Sequence, residues 1–93
     1  MVVGLCTVEI YLPNAHSLKD KRGIVKSVIQ RLRNKFNISV CELDHHDVWK
    51  NATLGLAGVS KDKEIIDRTF GAIEEFLEGL GDFLVVRFEL EIL

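Results

Sequence analysis

Odd and even positions separate between Val2 and Leu12. Val2, Cys6, Val8, Ile10 and Leu12 share one side, while Thr7 and Glu9 mark the other. A period of two is the pattern of a strand with one buried face. Pro13 and Asn14 break it, and from Leu18 the period becomes helical. Leu18, Val25, Val28, Ile29, Leu32 and Phe36 form one stripe that ends near Asn37. Ile38 to Leu43 reads as a second strand, Asp44 to Asn51 is polar and irregular, and Ala52 to Val59 reads as a third strand. Ser60 or Asp62 can cap a second helix whose stripe is Ile66, Phe70, Ile73, Leu77 and Leu80, closed by Gly79 and Gly81. Phe83 to Leu93 is a final strand, with Leu84, Val86, Phe88, Leu90 and Ile92 alternating against Val85, Arg87, Glu89 and Glu91.

The order β-α-β-β-α-β is the split βαβ pattern of an α+β, ferredoxin-like domain spanning residues 1–93. It predicts a four-stranded antiparallel sheet with two helices on one face and the other face open. Val3, Leu5, Tyr11, Val59, Phe83 and Val85 fall on the expected open side, an apolar set suited to an oligomer interface, and a homodimer is the expected assembly. Ferredoxin-like sheets that bind RNA stack bases on aromatic residues of the two central strands. Here Tyr11 is the only such aromatic, so base stacking on the sheet is not expected.

Composition adds little to this picture until charge is placed along the chain. Hydrophobic residues make up 47% of the 93, an ordinary balance for a domain that buries one core. No apolar run is long enough to span a bilayer, and Met1 leads straight into Val-Val-Gly-Leu-Cys without the features of a signal peptide. With Cys6 and Cys41 both inside strand-like stretches, buried free thiols and a cytoplasmic location are expected. The net charge is −2, yet the segment from Lys19 to Lys35 carries seven cations against the single anion Asp20. The acidic character lies elsewhere, much of it on the second helix, at Glu64, Asp67, Glu74, Glu75 and Glu78.

The first helix therefore holds the candidate chemistry. Ser17 with Asp20 three residues later is a capping signature, yet Lys19, Lys21 and Arg22 crowd the same turns. Cations are disfavoured there by about 0.3–1 kcal/mol each, because the helix dipole is positive at that end. At 100° per residue Lys19, Arg22, Lys26 and Arg33 fall within about a 60° sector bordering the apolar stripe. Lysines and arginines beside exposed helix N–H groups suit phosphate. Ser17, Lys19, Lys21, Arg22, Lys26 and Arg33 are thus the candidate anion or RNA contacts, with His16 a further candidate. On that reading the cations at Lys19 and Lys21 cost folding energy, and replacing them should stabilise the free protein.

"ELDHHDVWKN", Glu42 to Asn51, contains carboxylates and imidazoles, but adjacent His45 and His46 lack metal-ligand spacing, and a turn capped by Asp44 and Asp47 is the simpler reading. The pattern implies no metal, no cofactor, no nucleophile–base arrangement and no small-molecule substrate. Two stretches, "LPNAHSLKDKR" from Leu12 and "NKFNISVCELDHHDVWKNATLGLAGVS" from Asn34, resemble the YlxP-like family of small bacterial proteins of unknown function. That resemblance covers essentially the whole chain and implies a ferredoxin-like fold and a cytoplasmic location. Genes of that family often lie among those for transcription and translation factors, and it supplies no accepted catalytic residue. The expectation is a non-enzymatic protein contacting structured RNA or a ribosomal particle through the first helix. The alternative is a homo-oligomeric interaction module with no nucleic-acid role.

Overall fold

Strand β1 (Val2–Tyr11) occupies the middle of the sheet, and its alternation decides where the core lies. The computed structural model describes residues 1–43 and 50–93. Its elements follow in the order β1, α1 (Leu18–Lys35), β2 (Ser39–Glu42), β3 (Asn51–Ser60), α2 (Lys63–Glu78) and β4 (Leu84–Ile92). They form an antiparallel four-stranded sheet of order β2-β3-β1-β4, the ferredoxin-like topology. Cys6, Val8, Ile10 and Leu12 point to the helices and meet Leu54 and Leu56 of β3, with Val25, Val28 and Leu32 from α1 and Ile66, Phe70, Ile73 and Leu77 from α2. Each fully buried side chain of this size contributes about 1.5–3 kcal/mol.

Asp62, not Ser60, is the α2 cap: its carboxylate accepts from Ile65 N–H at 3.0 Å, while the Ser60 hydroxyl accepts from Asp62 N–H. Gly81, at φ 82°, makes the left-handed turn that follows Gly79. Gly4 is required for a different reason. A Cβ there would lie 2.8 Å from both Ile66 and Phe70, so the missing side chain lets α2 lie down on β1.

Two sequence readings change here. Val85 and Phe83 do not face outward: Phe83 is 5% exposed and Val85 packs against the core. The cause is a register shift between Glu9 and Ile10. Glu9 pairs with Arg87, but Ile10 pairs with Val85, so β4 carries one extra residue and its faces exchange there. Leu84, opposite Tyr11, is exposed instead. Cys41 is also exposed, because β2 is a short edge strand and position 41 pairs with Gly55 on the uncovered face.

Candidate nucleic-acid interface

The start of α1 is held by a reciprocal pair of caps. The Ser17 hydroxyl accepts from Asp20 N–H at 3.1 Å, and the Asp20 carboxylate accepts from His16 N–H at 3.0 Å. From the other side, the Lys50 ammonium donates to the carbonyls of Pro13 at 3.0 Å and Ala15 at 3.2 Å, fixing the turn that leads into the helix. These contacts engage the Ser17 hydroxyl and the Asp20 carboxylate in capping the helix. Ser17 acts as the cap of α1, its hydroxyl engaged by the helix's own backbone.

Lys21 is corrected more sharply. Its residue is only 4% exposed, and its ammonium lies 3.6 Å from the Glu42 carboxylate on β2. The side chain lines up with the buried Val25, Val28 and Leu32 at intervals of four, three and four, so it enters the apolar stripe. Its ammonium ties α1 to the edge strand. Burial and pairing leave this ammonium little surface to offer a phosphate.

Once Lys21 is removed, the remaining cations make a coherent surface. Lys19, Arg22, Lys26 and Arg33 are exposed, and among the described residues no carboxylate lies within ion-pair distance of Lys19, Arg22 or Lys26. A groove of about 510 Å³ runs between α1 and β2, lined by Arg22, Lys26, Ile29, Gln30, Arg33 and Glu42. Arg33 is anchored there, donating from Nη2 to the Val40 carbonyl at 2.8 Å, which orients its guanidinium at the groove end. Glu42 is the acid on this wall, and Lys21 offsets its charge from beneath. Gly23 adds an open stretch of backbone beside the row, with nothing within 4 Å of where its Cβ would be. Lys35 belongs to another set: its ammonium sits 4.9 Å from the centre of the Phe76 ring.

The uncovered sheet face has different chemistry. Val3 and Tyr11 are half-buried, Leu5 is 38% exposed and Val59 63% exposed, so four of the six proposed interface residues lie on that side, without Phe83 and Val85. A concavity of about 580 Å³ is floored by Thr7, Gly55 and Ala57 and walled by Leu43, Glu89 and Glu91. The two thiols differ: burial, aided by Glu74, pushes Cys6 up to about 12, while Cys41 is exposed on β2. Cys6 therefore stays protonated and unreactive in the fold.

Among the described residues no three His, Cys, Asp or Glu side chains gather as metal ligands. The His45–His46 pair and the Asp44–Asp47 turn lie outside the described residues. Among the described residues no helix is long and apolar enough to cross a membrane. Residues 3–90 match the family described as protein of unknown function, DUF503. The chain is also 30% identical over 81 residues to the uncharacterized protein YlxP of Bacillus subtilis (strain 168), a match covering 87% of this chain and 88% of that protein.

Proposed function

The chain belongs to the DUF503 family, whose function is unknown, and from its own surface we propose a non-enzymatic cytoplasmic protein that binds structured RNA or a ribosomal particle. The carrying observation is the exposed row Lys19, Arg22, Lys26 and Arg33 along one side of α1, bordered by a groove and by bare backbone at Gly23. Such a row meets phosphates and reads the shape of a folded RNA, with no base-specific element required. Aromatic stacking takes no part, since the central strands offer only the half-buried Tyr11.

Co-sedimentation with ribosomal particles across a salt series, with heparin as competitor, tests this reading. Four phosphate contacts give a slope of about −3 in log affinity against log salt, at about −0.7 to −0.9 per contact between single strands and duplex. Heparin should release the protein. Absence of binding at low salt, or binding that ignores both salt and heparin, would overturn the proposal and leave a protein-interaction module as the better reading.

A further inference from the structure

Strand β4 ends the sheet, and its outer edge carries a self-complementary pattern. Val3 and Leu93 exchange backbone hydrogen bonds in both directions, at 3.1 and 2.8 Å. Counting back along the antiparallel ladder, Glu91, Glu89 and Arg87 also turn their N–H and C=O groups to β1. Phe88, Leu90 and Ile92 turn theirs to the unoccupied edge, a template for another strand. Val86, 54% exposed, lies at the bulge where this regular stretch stops.

A second copy pairing antiparallel on that edge has few registers to choose from. Outward-facing residues must oppose each other, which puts the two-fold axis on one residue between 87 and 91, and an axis at 87 or 91 sets Arg87 or Glu91 against its own copy. An axis at Glu89 sets that carboxylate against its own copy. An axis at Leu90 sets Glu89 against Glu91 of the other chain, twice. An axis at Phe88 sets Arg87 against Glu89 of the other chain, also twice. Directly opposed like charges destabilise a sheet, and opposite charges stabilise it. Within one chain Arg87 Nε already lies 2.8 Å from Glu89 Oε1, so both groups stand on the same face at the right height.

We infer that the protein forms a two-fold homodimer through β4, with Phe88 on the axis, reciprocal Arg87–Glu89 pairs beside it and one continuous eight-stranded sheet. Val86 meets Leu90 of the other copy at each end of the overlap, and the bulge terminates the pairing. The seam lies on the sheet edge opposite β2, where α1 packs, so both basic rows stay open. This inference is independent of RNA binding.

Sedimentation velocity over a micromolar-to-millimolar concentration series, with circular dichroism to confirm folding, tests it through charge swaps. Wild type should approach twice the 10.5 kDa chain mass. Arg87→Glu and Glu89→Arg alone each turn two attractive pairs into two repulsive ones and should weaken dimerisation by at least about tenfold. The double swap Arg87→Glu/Glu89→Arg should restore it. Glu91→Arg lies beyond the overlap in this register and should leave dimerisation unchanged. A monomer throughout the series would show that the edge charges guard against pairing, and would overturn the inference. So would single variants that remain fully dimeric, a double swap that fails to recover, or a change of dimer affinity in Glu91→Arg.

Discussion

The two helices share a plan and differ in what they do with charge. Each begins on a side chain that accepts from the N–H three residues along, Ser17 in α1 and Asp62 in α2. Each carries an exposed glycine with open space above it, Gly23 and Gly71. The α2 stripe is purely apolar, at Ile66, Phe70, Ile73 and Leu77, with its carboxylates off the buried side. In α1 a lysine takes one of the buried places, and an exposed cation row runs beside it. A basic helix is therefore not one feature. One of its cations is a structural tie, one rests on an aromatic ring, and the exposed row is left available for a partner.

That division can be broken most forcefully at the row. Arg22→Glu with Lys26→Glu should weaken RNA or particle binding by about a hundredfold, taking about 1.4 kcal/mol for each lost contact. Melting temperature should move little, and a binding assay at fixed low salt reads the effect. Next comes the tie: Lys21→Met should destabilise the protein by about 1–3 kcal/mol in denaturant titration. The figure is held below that of a fully buried pair because the Glu42 side chain is 29% exposed. From its place in the first turns alone, replacing Lys21 should stabilise the protein; its burial beside Glu42 predicts the opposite sign.

The glycines sharpen the comparison. Gly23→Ala and Gly71→Ala should each stabilise by about 0.5–1 kcal/mol, since each methyl would enter open space within a helix. Only Gly23→Ala should also reduce RNA binding, because only Gly23 adjoins the row. Smallest is Lys19→Glu, which removes a cation from the first turn and should raise stability by about 0.3–1 kcal/mol at low salt. Thermal melts at two ionic strengths would show that gain fading as salt rises.

Much of the fold is legible because hydrophobic period and capping chemistry agree element by element, as in the α2 stripe and its Asp62 cap. The β4 faces are not legible. In Phe83-Leu84-Val85-Val86 every residue is apolar, so a one-residue bulge exchanges the faces without leaving a mark on the alternation. Lys21 did leave a signal, since it is spaced four and seven residues before Val25 and Val28. Grouping it by charge with Lys19 and Arg22 hides that spacing. The groove between α1 and β2 depends on how a helix and an edge strand meet, which no local pattern records.

The salt dependence of binding in two variants tests the division of the α1 cations most directly. Wild type should lose affinity with a slope of about −3 in log–log form, and Arg22→Gln/Lys26→Gln should fall to about −1.4 as two phosphate contacts disappear. Folded Lys21→Met should keep the wild-type slope, because that ammonium pairs with Glu42 inside the fold and meets no phosphate. A shallower slope for Lys21→Met, or an unchanged slope for Arg22→Gln/Lys26→Gln, would contradict the account.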